Sequence, residues 1–271
     1  METQPHFNPQ IPSSRHPSKE GDRHLLKFQG KTMSRAARGL VDGFIYHVIN
    51  RGNNKQRIFQ QDQDYRVFVD LMKEGKGLYP VDILAYCVMP NHFHLVLRPM
   101  RGGELSKWMH WLTTNHVRQY HQHYGTSGHL WHGRFKNFVV QEDTHLLTVV
   151  RYVEANPLRA GLVASAKDWE WSSHKENAGS KSRVVTSHIP IQLPKFWEGY
   201  VNTPLTELEL GTLRQSVNRQ SPYGAPLWQS EICEKLGLES TLRPRGRPRN
   251  GEGACSRSAM LRSAGPNSRI A

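Results

Sequence analysis

The sequence predicts an α+β fold. Two observations carry this: short, β-branched apolar runs closed by turn residues alternate with longer segments whose apolar residues recur at helical spacing, and the order is β-α-β-β-α-β plus a further helix. That is the order of a ferredoxin-like sheet with helices on one face. The sheet face left open is where function is expected.

"FIYHVINR", from Phe44, reads as the first strand, with "GNNK" as the turn after it. "DQDYRVFVDLMKEG" opens on an aspartate cap and places Tyr65, Val67, Phe68, Leu71 and Met72 on one side of a helix. "VDILAYCV" (Val81 to Val88) and "HFHLVLRP" form two strands joined by a tight turn at Met89, Pro90 and Asn91. A long helix follows from about Leu105 to Tyr124, then "GTSGHLWHGRF" as a glycine-punctuated loop and "FKNFVVQ" as a strand. "EDTHLLTVVRYVEANPLRAGLV" starts on acidic and Thr caps and is helical until Pro157 breaks it.

Composition divides the chain further. Residues 1–39 are rich in Pro, Ser, Gln, Lys and His and read as a disordered leader, with Met33 as an alternative start. Residues 40–175 hold the α+β domain, 176–198 read as a linker, and 199–242 read as a small helical module, DNA-binding or accessory. Residues 243–271 form a basic disordered tail.

The formal net charge of +13 favours a polyanionic partner. No run of apolar residues is long enough for a membrane span and no signal-peptide core is present, so no membrane association is expected. Cys87, Cys233 and Cys255 are too few and too scattered for a disulfide framework, and Cys87 reads as a buried thiol in a reducing cytoplasm.

On a strand, residues two apart face the same side, so His92 and His94 project together, either as half of a divalent-metal site or as one buried, hydrogen-bonded histidine beside a solvated one. On the last helix Leu146, Val149, Val150 and Val153 make the apolar face, while Tyr152 and Asn156, four apart, lie one above the other. Arg159 comes close to that side if the turn after Pro157 tightens. Two imidazoles and an amide oxygen around a divalent ion, with a phenol beside them, suit phosphodiester attack by tyrosine: the ion polarises the phosphate and the phenol becomes covalently attached. Tyr120 and Tyr124 compete by composition but lack such a partner four residues on. His116, His121, His123, His129 and His132 match no usual zinc spacing.

Basic and aromatic residues interleave in "LWHGRFK". Arg134 and Lys136 beside Trp131 and Phe135 suit single-stranded nucleic acid, and equally suit core aromatics flanked by solvated charges. In "RPRGRPR", Arg243, Arg245, Arg247 and Arg249 on an extended segment suit a minor groove or a solvated tail.

"SRAARGLVDGFIYHVINRGNNKQRIF", "AYCVMPNHFHLVLRP", "GHLWHGRFK", "RYVEANPLRAGLV" and "DWEWSSH", in this order, resemble the single-tyrosine transposases of the insertion-sequence type, and within them the REP-associated tyrosine transposases of bacteria. The resemblance implies a ferredoxin-like catalytic domain with an additional catalytic helix, His92 and His94 as metal ligands, Tyr152 as nucleophile and Asn156 as third ligand. His132 stands where similar proteins usually have Gln. The expected activity is cleavage of single-stranded hairpin or repeat DNA and strand transfer through a 5′-phosphotyrosine, with Mg2+ or Mn2+ as cofactor, in the bacterial cytoplasm near the nucleoid. A hydrolytic metal nuclease and a catalytically silent DNA-binding regulator stay open as alternatives. So does the choice between monomer and homodimer, with Tyr152 serving its own chain or its partner.

Overall fold

The computed structural model describes residues 40–243 apart from Asp42 and Gly102, so the leader expected over 1–39 and the tail beyond Arg243 lie outside the described residues. The elements run β1 (Ile45–Arg51), α1 (Asp62–Leu78), β2 (Val81–Met89), β3 (His92–Pro99), α2 (Glu104–Tyr124), β4 (Lys136–Val140) and α3 (Thr144–Glu154). The strands form one sheet in the order β2-β3-β1-β4, every neighbouring pair antiparallel. This is the expected ferredoxin-like arrangement.

Local chemistry sets the register. The turn between β2 and β3 is pinned to the chain after β1: the Pro90 carbonyl accepts from the Ile58 and Phe59 amides at 2.8 and 3.0 Å, and the Asn91 carbonyl from the Gly52 amide at 2.8 Å. Only glycine fits at position 52, because a Cβ there would lie 2.5 Å from the Gln56 carbonyl oxygen. Asp64 accepts from the Gln60 and Gln61 amides at 2.8 and 3.1 Å, closing the start of α1.

Alternation along the strands divides the core. Tyr46, Val48, Phe93, Leu95 and Leu97 face α1 and α2, meeting Phe68, Met72, Trp108 and Leu112. The opposite face carries Ile45, Ala85, Val96, Phe138 and Val140, and it is not open as the sequence suggested. Strands that are apolar on both sides need a second cover. Leu146, Val149, Val150 and Val153 of α3 provide it, each fully buried. At about 2 kcal/mol for each large aliphatic group removed from water, this cover is a principal source of stability.

The chain continues through short helices α4 (Asn156–Arg159), α5 (His174–Asn177) and α6 (Trp197–Asn202), then α7 (Glu207–Arg219) and α8 (Pro226–Leu236). Residues 176–198, expected as a linker, are packed. Glu176 accepts from the Thr186 amide and hydroxyl, both at 2.8 Å, and the Ser187 amide donates to the Ile83 carbonyl at 2.7 Å. The expected helical module is likewise joined to the domain: Leu210 and Leu213 of α7 enter the core under α3, and the Tyr223 amide donates to the Val139 carbonyl at 2.8 Å. The stretch opens on Asn, Gly, Ser and Lys with no helical or strand periodicity, which reads as a linker, whereas its packing runs through the buried polar groups Glu176 and Thr186 and through Val185 and Trp197. Among the described residues no helix is long and apolar enough to cross a membrane.

Burial depresses two core histidines, His47 to about 3 and His116 to about 4, from an ordinary 6.5. Both are neutral in the folded chain, so the unfolded chain binds more protons below pH 6.5. Their stability contribution is fully present above that value and is lost as pH falls toward the native ones. Thermal unfolding followed by circular dichroism from pH 7.5 down to pH 4.5 is expected to show a falling Tm, with each such histidine adding on the order of 1 kcal/mol per pH unit to the slope. His116→Phe, which suits the ring cluster of Phe59, Phe68 and Trp131, is expected to flatten it.

Candidate active site

The alternation of β3 turns both His92 and His94 toward α3. Their rings lie 5.0 Å apart between centroids, nearly perpendicular. His94 is 2% exposed and His92 half-buried. Burial lowers His92 to about 4, helped by the Arg51 and Arg159 charges, and lowers His94 well below the usual imidazole range. Both are therefore neutral near pH 7, the form that can ligate a metal. Each Nδ1 is engaged, His92 with Asn91 Oδ1 at 2.7 Å and His94 with His47 Nε2 at 2.9 Å. No hydrogen bond among the described residues engages the Nε2 of His92 or His94.

Helix α3 delivers the phenol. Asp143 caps it by accepting from the His145 amide at 2.8 Å, and its buried aliphatic face fixes its rotation. Tyr152 then stands edge-on to His94 of the same chain, 5.6 Å between ring centroids, and is 9% exposed.

The helix ends earlier than expected. Pro157 has no N–H to donate to the carbonyl four residues back, and here the break falls at Ala155, after Glu154, with Asn156–Arg159 forming a separate turn that carries Pro157 near its start. Tyr152 and Asn156 thus belong to two helical pieces rather than one ladder. Arg159 rejoins them: its guanidinium lies 4.2 Å over the Tyr152 ring and donates to Asn156 Oδ1 at 2.7 Å. The amide oxygen read from the sequence as a ligand is held by a cation in this conformation.

The other sequence candidates are placed as follows. Trp131 and Phe135 are buried in the core beneath α1 and α2, which removes them as stacking platforms for a nucleic acid. An isolated bridge between Gly52 and Trp131 holds them there. Arg134 and Lys136 are exposed. Lys136 pairs with Ile49, which pairs with His94, so the three occupy one row across the sheet. At two strand spacings, the Lys136 backbone is roughly 10 Å from that of His94. Arg51 pairs with His92 in the adjacent row. Arg243 is exposed, its carbonyl accepting from the Arg219 guanidinium. Arg245, Arg247 and Arg249 lie outside the described residues. Tyr120 accepts from Gln60, and Tyr124 donates to both Asp64 oxygens at 3.0 and 2.8 Å, so both hydroxyls are engaged at or just before the start of α1 rather than at His94. Among the described residues no group of three His, Cys, Asp or Glu forms a metal cluster.

Three residues at the site went unassigned in the sequence. His47 touches His94 and meets Tyr152 at 6.2 Å between centroids. Its signal was a histidine at an inward position of an apolar strand. Arg159 was noted only for its nearness to Tyr152 and Asn156. Glu154, two residues past Tyr152, is fully buried and accepts from Ser173 Oγ (2.6 Å), Asn177 Nδ2 (2.7 Å), Trp197 Nε1 (2.9 Å) and His174 Nδ1 (3.0 Å). A carboxylate between four valine or apolar helical neighbours was the available signal.

The match with known proteins follows this geometry. Residues 40–156 match the family model described as "Transposase IS200 like". Over 154 residues the chain is 30% identical to a Haemophilus influenzae protein named as a REP-associated tyrosine transposase, spanning 52% of this chain and 85% of that one. The chain belongs to the REP-associated tyrosine transposases. A solved REP-associated tyrosine transposase bound to a REP hairpin is 19% identical, covering 60% of this chain and all of that one, with a TM-score of 0.47.

Removing the buried carboxylate leaves Trp197 Nε1 and His174 Nδ1 without their acceptor, while Ser173 Oγ and Asn177 Nδ2 keep only the longer bonds to the Tyr86 and Leu84 carbonyls at 3.3 and 3.2 Å. Glu154→Ala is expected to cost about 3 kcal/mol or more, read as a Tm lower by roughly 6–12 °C in differential scanning calorimetry. Glu154→Gln, which keeps the shape but only one accepting oxygen, is expected to fall between this variant and wild type.

Proposed function

We propose that this chain cleaves single-stranded hairpin or repeat DNA and transfers the strand through a 5′-phosphotyrosine at Tyr152, with Mg2+ or Mn2+ held by His92, His94 and Asn156. The observation that carries the proposal is Tyr152 edge-on to His94 within one chain, beside two neutral imidazoles whose Nε2 atoms make no hydrogen bond among the described residues. The donor set of two imidazoles and one amide oxygen suits a divalent ion. Asn156 can join it once Arg159 shares or releases its Oδ1.

Such an ion, when bound, supplies Lewis-acid stabilisation to the phosphodiester's non-bridging oxygens and to the departing 3′ oxygen. Tyr152 gives its proton to solvent and its Oη bonds to phosphorus. The bond from phosphorus to the 3′ oxygen breaks, and that oxygen takes up a proton. The energy of the phosphodiester is kept in the tyrosine link, so a second 3′-hydroxyl reverses the step at a new end without nucleotide fuel. Arg159, over the phenol ring, places positive charge where negative charge develops in the attack. Arg51, Arg134 and Lys136 are exposed cations suited to phosphates on either side of the scissile bond. The name of the Haemophilus influenzae relative makes repeat DNA the class to test first.

The test incubates the full chain with end-labelled single-stranded hairpin oligonucleotides and Mg2+ or Mn2+, followed by denaturing gels. A metal-dependent covalent protein–DNA adduct is expected for wild type, with loss of about 10^3-fold or more in Tyr152→Phe and in His92→Ala, since each removes a reacting or polarising group. Cleavage surviving in Tyr152→Phe without an adduct makes the enzyme a hydrolytic nuclease. Binding without any cleavage makes the chain a regulator.

A further inference from the structure

We infer that His47 is a positioning residue for the metal centre: its Nε2 accepts a hydrogen bond from the Nδ1–H of His94 and so holds His94 with its Nε2 lone pair free for a divalent cation. The inference rests on the reading of His92 and His94 as metal ligands.

An imidazole that ligates through Nε2 carries its remaining proton on Nδ1, and that N–H needs an acceptor to fix the ring's tautomer and direction. His92 has an unambiguous one. The Asn91 side-chain nitrogen donates to the Lys55 carbonyl at 3.3 Å, which turns Oδ1 toward His92 Nδ1 at 2.7 Å. His94, deeper in the site, has no carbonyl or carboxylate as the hydrogen-bond partner of its Nδ1 among the described residues. Its Nδ1 meets His47 Nε2 at 2.9 Å. Both ligand rings are thus gripped at Nδ1, one by an amide oxygen and the other by a second imidazole.

The sheet dictates this contact. In the β1–β3 register His47 pairs with Val96 and Ile49 with His94, so His47 and His94 are diagonal neighbours on the face beneath α3. His47 is fully buried against Phe138, with ring centroids 4.8 Å apart. Its Nδ1 has no hydrogen-bond partner among the described residues, so no competing bond dictates which of its nitrogens carries the proton. An imidazole costs free energy in this apolar layer, and the one hydrogen bond it makes among the described residues is to a candidate ligand. Its ring also lies edge-on to Tyr152, so the same side chain braces both the ligand and the phenol.

Isothermal titration of the metal-free full chain with Mn2+ tests this, using wild type, His92→Ala, His47→Leu and His47→Gln, with circular dichroism and melting curves to establish that each variant is folded. His47→Leu is expected to weaken Mn2+ binding roughly 10- to 100-fold, while His47→Gln, whose Oε1 can occupy the Nε2 position, retains near wild-type affinity. A folded His47→Leu protein with wild-type affinity, or a folded His47→Gln protein as weak as His47→Leu, overturns the inference. Should His47→Leu not fold, nitrogen-15 shifts of the histidine rings in the Mg2+-saturated wild type decide: a proton on Nδ1 of His94 supports the assignment, and a proton on its Nε2 overturns it. The two readings fail separately. Binding abolished in His92→Ala but untouched in His47→Leu removes only the role of His47; no binding in wild type, or full binding in His92→Ala, removes the metal centre and this inference with it.

Discussion

A carboxylate taken out of water must be met by donors, and the Glu154 carboxylate, from the end of α3, is met by four. Those donors come from residues 173, 174, 177 and 197, so one side chain ties the helix that carries Tyr152 to the segment that wraps beneath it. The aliphatic face of α3 decides which side of the helix lies on the sheet, and Glu154 decides how far along it the helix sits. Tyr152 and Arg159 inherit their positions from these two constraints. Moving the helix by one residue would part the buried Arg151 from Glu209, and would leave the carboxylate without its partners.

The second constraint is polar chemistry inside a sheet that is apolar on both faces. His47 and His94 lie in the layer between sheet and α3, where solvent does not compete for their nitrogens. Burial keeps the rings neutral, and their mutual hydrogen bond replaces water for one nitrogen of each. A neutral, directed imidazole is a better ligand than a solvated one that is partly protonated. The covering of this face by α3 therefore shapes the chemistry of the site as well as stabilising the fold.

Local features were legible in the sequence to the extent that they depend on local periodicity. The pairing of His92 with His94 follows from the two-residue repeat of a strand, and the inward face of α3 from its apolar spacing. His47 was not assigned because its contact depends on the register between β1 and β3, which no single stretch encodes. Glu154 escaped for a related reason: its donors are distant in sequence, and two of them, Asn177 and Trp197, lie in the stretch that composition describes as a linker. Trp131 and Phe135 were ambiguous because a glycine-rich loop gives no sign that one bridge to Gly52 folds it inward. The early end of α3 is the converse case, a local effect of Pro157 that acts two residues further upstream than a simple break would.

Asp64 has two duties at once. It accepts the amides at the start of α1 and the hydroxyl of Tyr124 at the end of α2. A drift to alanine at position 64 would strip the beginning of one helix and the end of the other in a single step, whereas a drift to phenylalanine at 124 would leave the amides satisfied. Among descendants of this chain, position 124 is therefore freer to change than position 64, which the amides at the start of α1 hold to a side chain that can accept from them.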